Sequence, residues 1–349
     1  MEHYELVFVT HLPAFYKINL YNELAKKKKI LVLFISDASA IRNKDFTSAT
    51  INFKYEIINV GEFEKRNIVT SCLKLATVLL SLSIDKLVVG GWDLPEFWLS
   101  IFFHRRAGNA VVVESTIYES KIGFLKKIIK QIFLARISTA YCSGSPHHEL
   151  LKALDFKGDV HLTKGVGIIN ITDSDCEKIR TKPRNNKIPV NFLYVGRLAP
   201  EKGLFFAIEY FKKHPQLNLT IVGDGPLRDQ LENISPHNVT LVGSVNNKDL
   251  ADIYKSHDVF LLPSHSETWG LVVEEALYFG LPIICSSYVG CNIELIENPC
   301  TGIIYSDSSI SSLSNAIDEM TSKYSFFLDN VANFSVGEKD LAQVNIYLS

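Results

Sequence analysis

The stretch Pro263-Ser-His-Ser-Glu-Thr-Trp-Gly-Leu-Val-Val-Glu-Glu-Ala-Leu-Tyr-Phe-Gly-Leu-Pro282 decides how this chain is read. Just before it, Asp258-Val-Phe-Leu-Leu262 has the aliphatic, β-branched and aromatic content of a short buried strand. Pro263 and Ser264 end that strand. A short loop carries Glu267, Gly270 turns the chain, and Leu271 to Phe279 keeps helical spacing until Gly280 and Pro282 stop it. Glu267 is therefore expected in a loop at a strand's carboxyl end, and Glu275 on the second turn of the next helix. The first backbone N–H groups of that helix, near Gly270, Leu271 and Val272, lack helical acceptors and suit an anion. Two carboxylates beside an anion site, each able to accept paired hydroxyl protons, describe a pocket for a sugar nucleotide. The plain alternative is that the helix dipole alone favours Glu in a first turn, with Glu274 beside Glu275 as ordinary surface charge.

The spacing Glu-x7-Glu, with its internal Gly and trailing Ala-Leu-x-x-Gly-Leu-Pro, says more than a pair of glutamates. It resembles the signature of the retaining glycosyltransferases of family 4, which have the GT-B architecture. A second segment agrees. Asn191 to Val195 reads as a strand, followed by Gly196-Arg197-Leu198-Ala199-Pro200-Glu201-Lys202-Gly203 and an amphipathic helix. The loop brings one Arg and one Lys to a strand's carboxyl end, where open α/β sheets bind ligands. Arg offers a flat fork and Lys a point charge, a pair suited to a diphosphate that must also leave. Ile221-Val-Gly-Asp-Gly-Pro-Leu-Arg228 and Val242-Gly243 continue the likeness, which is strong over residues 190–306 and weak before them.

The resemblance implies an α/β chain of two Rossmann-like domains whose parallel sheets face across a cleft. It further implies a metal-free transfer of a hexose from a UDP- or GDP-sugar to a glycan acceptor, with no cofactor. In that reading Glu275 holds the ribose hydroxyls and Glu267 the transferred sugar. Arg197, Lys202 and the helix opening at Gly270, Leu271 and Val272 stabilise the departing diphosphate, with Gly196 and Gly243 lining the donor site. Polysaccharide-forming members of the family are the subgroup it most resembles. A catalytically inactive sugar-nucleotide-binding or scaffold protein, a GT-B epimerase and a glycoside phosphorylase are the competing readings.

Composition is compatible. The chain has 349 residues, enough for two domains of ordinary size, and a net charge of −2, which offers no basic field for nucleic acid. The six cysteines are scattered without Cys-x-x-Cys or zinc spacing, as expected of free thiols in a reducing compartment. Glu2 and Glu5 interrupt any signal-peptide n-region, and the longest apolar stretch, Asn67 to Ile84, contains Lys74. A cytoplasmic protein, or one peripheral to the inner face of the cytoplasmic membrane, is expected.

Strands and helices alternate twice. In the first half strands are expected at Leu6–Thr10, Ile30–Ile35, Tyr55–Val60, Lys86–Gly90, Ala110–Glu114, Ala140–Ser143 and Val160–Thr163. Helical spacing fills Phe15–Lys27, Val69–Leu82 and Lys126–Ala135 between them. In the second half strands are expected at Asn191–Val195, Leu217–Val222, Val239–Val242, Val259–Leu262, Ile283–Cys285 and Gly302–Tyr305. The expected division is an acceptor-side domain over 1–165, a linker over 166–189, a donor domain over 190–323 and a terminal segment over 324–349 that returns to the first domain.

The first half departs from better-known members. Thr10-His11-Leu12-Pro13 stands where many have a Gly-Gly loop, and Val113-Glu114-Ser115-Thr116 where many have a His. Glu114 is therefore a candidate catalytic residue, and residues 90–96, Gly-Gly-Trp-Asp-Leu-Pro-Glu, are a candidate lining of the same cleft. Asp173-Ser-Asp175 matches an Asp-x-Asp metal motif but sits in the linker, so no metal is expected. In residues 121–136, Ile128, Ile132 and Ala135 are expected to face the core. Lys126, Lys127, Lys130 and Arg136 would then lie outside, where they could meet an anionic membrane carrying a lipid-linked acceptor.

Overall fold

The computed structural model describes residues 1–40, 49–120, 123–170, 188–306 and 309–349. Its first sheet is built from β1 (Glu2–Thr10), β2 (Ile30–Ala38), β3 (Lys54–Glu62), β4 (Leu82–Val89), β5 (Asn109–Val113), β6 (Thr139–Cys142) and β7 (Asp159–Leu162). All pairings are parallel, in the order β3-β2-β1-β4-β5-β6-β7. Leu6 lies opposite Ile30 on one side and Lys86 on the other, which fixes the centre of the sheet. A parallel sheet is covered on both faces, so its strands read as apolar runs; Ile30 to Ile35 is buried throughout.

Helices α1 (Phe15–Ala25), α2 (Ile68–Leu80), α3 (Pro95–Phe103), α4 (Phe124–Leu134) and α5 (Ser145–Ala153) form the crossovers. One face of the sheet packs under α2 to α5 through Leu75, Phe97, Ile101, Phe133 and Leu150. The other packs under α1 through Ile18, Tyr21 and Leu24.

The second sheet joins β8 (Asn191–Val195), β9 (Asn218–Val222), β10 (Val239–Gly243), β11 (Val259–Leu262), β12 (Ile283–Ser286) and β13 (Gly302–Tyr305). These are also parallel, ordered β10-β9-β8-β11-β12-β13. Its crossovers include α6 (Leu204–Lys213), α7 (Arg228–Ile234), α8 (Asn247–Ser256) and α9 (Leu271–Tyr278), followed by α10 (Ile310–Ser322) and α11 (Tyr324–Asn333). At the start of β11, the Asp258 carboxylate accepts from the backbone N–H groups of Val190 and Asn191 and from the Asn191 side chain. These bonds of 2.9–3.2 Å lock β8 and β11 in register.

The expected strands all form, within a few residues at each end. Two boundaries move. Residues 166–170 belong to the first unit, where Ile168 N–H donates to the Tyr16 carbonyl at 2.8 Å and Ile169 is buried. The terminal segment stays with the second unit to Glu338, and only Lys339–Ser349, most of the helix α12 (Val336–Leu348), joins the first. Asp173 and Asp175 lie outside the described residues.

One expectation is inverted. In α4 it is Phe133 and Leu134 that are buried, whereas Ile128, Ile132 and Ala135 are exposed. Lys127 pairs with Asp155 at 2.8 Å, and Lys130 stands over the Trp92 ring. The helix is apolar around more than half its circumference, so spacing alone could not say which apolar arc meets the sheet.

The return of α12 completes the first core. Tyr347 is 3% exposed and its ring lies 4.4 Å from Tyr141 and 6.1 Å from Phe8. Tyr347→Ala should therefore destabilise the first unit by about 3–5 kcal/mol, the range for deleting a buried aromatic ring. Urea unfolding followed by circular dichroism measures it, and an unchanged midpoint would detach this helix from the core.

Candidate active site

In an open parallel sheet the loops leave at the carboxyl edge. Where the strand order reverses, neighbouring loops diverge and leave a crevice. In the second sheet β8 lies between β9 and β11, so the reversal falls between β8 and β11. The loops that follow these two strands are residues 196–203 and 263–270. They meet closely. Gly203 is left-handed (φ +67°), and a Cβ there would lie 2.1 Å from the Pro263 carbonyl oxygen. His265 N–H donates to the Glu201 carbonyl at 2.7 Å.

Across this crevice Lys202 Nζ donates to Glu267 Oε2 at 2.5 Å, with both side chains mostly buried. The sequence placed both residues at one site but not in contact. Glu267 is held from behind by the loop that follows β12: its N–H donates to the Tyr288 carbonyl at 3.3 Å, and its carbonyl accepts from Gly290 N–H at 2.9 Å. Ser286 Oγ donates to the Ser264 carbonyl. Residues 286–290 were not singled out from the sequence. Their position just past a strand, with a Gly at the close, was the available signal.

Gly270 caps α9 in a left-handed conformation (φ +101°), which a residue with a Cβ would resist. Leu271 and Val272 begin the helix, partly exposed, and their N–H groups belong to the turn that has no acceptor within the helix. Arg197 lies apart from the Lys202 pair: its guanidinium binds Glu201 at 2.6 Å and is 58% exposed. Gly196 ends β8, its N–H donating to the Val222 carbonyl at 3.0 Å. Gly243 ends β10, with the Arg228 guanidinium beside it.

The two adjacent glutamates of α9 have different tasks. Glu274 is fully buried, and Trp269 Nε1 donates to it at 2.6 Å, so it is a core carboxylate, which rules out the surface-charge alternative. Glu275 accepts a hydrogen bond of 2.9 Å from the hydroxyl of Tyr254, itself fully buried on α8. Burial pushes the Glu275 carboxyl up to about 7; Glu274 adds to the rise and the Tyr254 hydroxyl opposes it.

The first sheet reverses its order between β1 and β4, and a polar pair crosses there too. His11, just past β1, and Asp93, past β4, are 2.8 Å apart, with His11 edge-on to the buried Phe97 ring. Glu114, one residue past β5, pairs with Lys17 of α1 at 2.8 Å. They share a recess with Phe8, Tyr21, Gly90 and Tyr347. Burial alone would lower the Lys17 ammonium, but Glu114 beside it holds it above its ordinary range. Glu96, expected to line the same edge, is instead fully buried against Arg66 at 2.8 Å and serves the core. Among the described residues no three His, Cys, Asp or Glu side chains gather as a metal would require.

Residues 175–329 match the family model described as "Glycosyl transferases group 1". An uncharacterized glycosyltransferase of Methanocaldococcus jannaschii is 34% identical over 157 residues, 42% of this chain and 40% of that protein. The chain spans less than half the length of the curated relatives it matches. Among solved structures, the apo lipopolysaccharide outer core galactosyltransferase WaaB superposes with a TM-score of 0.72, at 15% identity and over 99% of both chains. An Anabaena protein, HepE, in complex with UDP gives 0.67 at 14% identity, over 99% of this chain and 95% of that one. The fold is that of the GT-B glycosyltransferases.

The raised Glu275 carboxyl has a consequence for stability. The unfolded chain loses this proton near the ordinary value of 4.5, and the folded chain keeps it to about 7. Between those values the unfolded state binds fewer protons, so stability falls as pH rises through the window and is level above it. Glu275→Gln removes the penalty while leaving Tyr254 an acceptor. It should stabilise the unliganded protein by about 2–3 kcal/mol at pH 8 and change little at pH 4.5. Thermal melts at both pH values test this; an equal shift at both would assign the effect to packing.

Proposed function

We propose that this chain is a retaining hexosyltransferase of family 4, moving a hexose from a UDP- or GDP-sugar to a glycan hydroxyl. The observation that carries the reading is the Lys202–Glu267 pair across the reversal of the second sheet, beside the opening turn of α9. That turn and Lys202 can receive the two phosphates, and Arg197, released from Glu201, can reach for the outer one. With Lys202 drawn to phosphate, Glu267 is left to accept from sugar hydroxyls. Glu275, backed by Tyr254, can accept from the ribose.

The chemistry then needs no metal, because positive charge already waits where negative charge develops. The bond between the sugar's anomeric carbon and the leaving phosphate oxygen breaks. The acceptor oxygen bonds to that carbon from the same face, and its proton passes to the departing phosphate. Configuration is retained and the products are a glycoside and a nucleoside diphosphate. On this reading the acceptor is a lipid-linked surface polysaccharide or oligosaccharide, and the reaction runs in the cytoplasm at the inner face of the membrane that carries it. Glu114 is the weaker candidate catalytic residue, since Lys17 already takes up its charge.

A panel of UDP- and GDP-sugars, scored for hydrolysis by the purified protein, separates an enzyme from a binding scaffold, and the anomer of the product reports retention. Arg197→Ala and Lys202→Ala should each lower turnover ~10²–10³-fold at saturating donor, the cost of losing one charge at the transition state. Near-normal turnover in both would remove them from the mechanism.

The two glutamates divide binding from transfer. Glu275→Gln should weaken calorimetric affinity for UDP or GDP, while Glu267→Gln should spare that affinity and slow transfer. The reverse pattern would exchange their roles. Activity should survive excess chelator; loss restored by manganese would place a metal in the site.

A further inference from the structure

The outer surface of α2, α3 and α4 carries an unusual number of exposed apolar side chains. On α4, Phe124 and Leu125 are 80% and 74% exposed, and Ile128, Ile129 and Ile132 complete the same side. At 100° per residue these five fill one arc of ~140°, with no charged residue inside it. On α2, Val69 and Leu73 are 68% and 64% exposed, and Leu80 continues the stripe. On α3, Phe102 and Phe103 stand out from the last turn. The three helices are neighbours on one face of the first sheet. Trp98 of α3 packs on Phe133 of α4 at 5.1 Å, and α2 and α3 share the core through Leu75 and Phe97. Single exposed apolar residues are ordinary, but a helical layer that turns apolar arcs outward is not.

The exposed charges on the three helices themselves have one sign. Lys74, Arg105, Arg106 and Lys126 are exposed on or beside these helices. The one acid on the three helices, Glu96, is buried against Arg66. Lys127 is paired with Asp155 at the margin, and Lys130 lies back over Trp92. An apolar arc flanked by cations, with no exposed acid on the helices that bear it, complements an anionic lipid surface: rings and aliphatics enter the acyl boundary and the ammonium groups stay at the phosphates.

We infer that the α2–α3–α4 face of the first unit docks on an anionic bilayer, led by the amino-terminal turns of α2 and α4. Those turns hold Ile68, Val69, Phe124 and Leu125, and they follow β3 and β5, at the carboxyl edge of the sheet. His11, Asp93 and Glu114 lie at that same edge. The inference rests on the glycosyl-transfer reading only for what the bilayer carries. It reverses the expectation that the basic side of α4 would meet the membrane: the apolar side leads, and the lysines flank it.

The test is co-sedimentation of the full chain with vesicles of phosphatidylglycerol and phosphatidylcholine in equal parts, and with phosphatidylcholine alone, at physiological salt. The wild type should sediment with the mixed vesicles and less with the neutral ones. Leu125→Glu with Ile129→Glu should reduce partitioning by about tenfold or more, as expected for withholding two large apolar side chains. Leu73→Glu should reduce it less. All three positions are exposed, and unchanged calorimetric binding of UDP or GDP would show that the chain remains folded. A wild type left in the supernatant with both vesicles would overturn the inference. So would a dimer in sedimentation velocity that the same substitutions dissociate, because a second copy would then cover the face. Vesicle binding without donor hydrolysis would sink the glycosyl-transfer reading alone; hydrolysis without vesicle binding would sink the docking face alone.

Discussion

The reversal of strand order between β8 and β11 is the constraint on which the candidate site depends. Asp258 fixes it by taking three hydrogen bonds from Val190 and Asn191, so that Val259 lies opposite Phe192 and Phe260 opposite Leu193. From that register the loops after both strands emerge side by side, and Lys202 meets Glu267 across 65 positions of sequence. A slip of one residue would move one loop past the other by about 3.3 Å, more than the length of the hydrogen bond between them. The glycine at 203 belongs to the same constraint, since the Pro263 carbonyl occupies the space a side chain would need.

The pairing of Lys202 with Glu267 also explains how a charged site can persist without its ligand. Each group is largely withdrawn from water, and either one alone would be costly to bury. An anion arriving at α9 offers the lysine a second partner while a polyol offers the carboxylate hydroxyl donors. The site can thus exchange one satisfied arrangement for another, and no buried charge is left alone at any stage. Glu275 follows a different logic. It is held near neutrality by burial, and Tyr254 keeps one oxygen engaged, so hydroxyl donors in the pocket would favour its charged form.

What could be read from the sequence follows from the physics of each element. Parallel strands covered on both faces are short apolar runs bounded by turn residues, and this is why the expected strands form within a few positions of where they were placed. Glu267 and Glu275 were legible because a strand end and a helix start fix where they stand. Their partners were not. Tyr254 and Lys202 reach them through tertiary packing that no spacing encodes. Glu274, with a solvent-like sequence context, proved to be a buried acceptor for Trp269. In α4 the apolar positions outnumber those the sheet can cover, so the pattern named a helix without naming its inner side.

That surplus separates the two faces of the first unit. Under α1 and α12 the sheet is closed by interlocking aromatics, with Tyr347 against Tyr141 and Phe8, and Ile18, Leu20, Tyr21 and Leu24 of α1 are buried. Under α2, α3 and α4 the core is equally full, with Leu75, Phe97 and Phe133 buried, yet the same helices hold more large apolar residues outside than in. Core packing cannot account for these outer residues, because the density of the interior is already met without them. Nor does helix propensity require them, since Lys, Glu or Gln would serve as well at an exposed helical position. The inferred bilayer supplies the apolar phase that these outer residues lack in the isolated chain, and the absence of exposed acids on the three helices suits an anionic one.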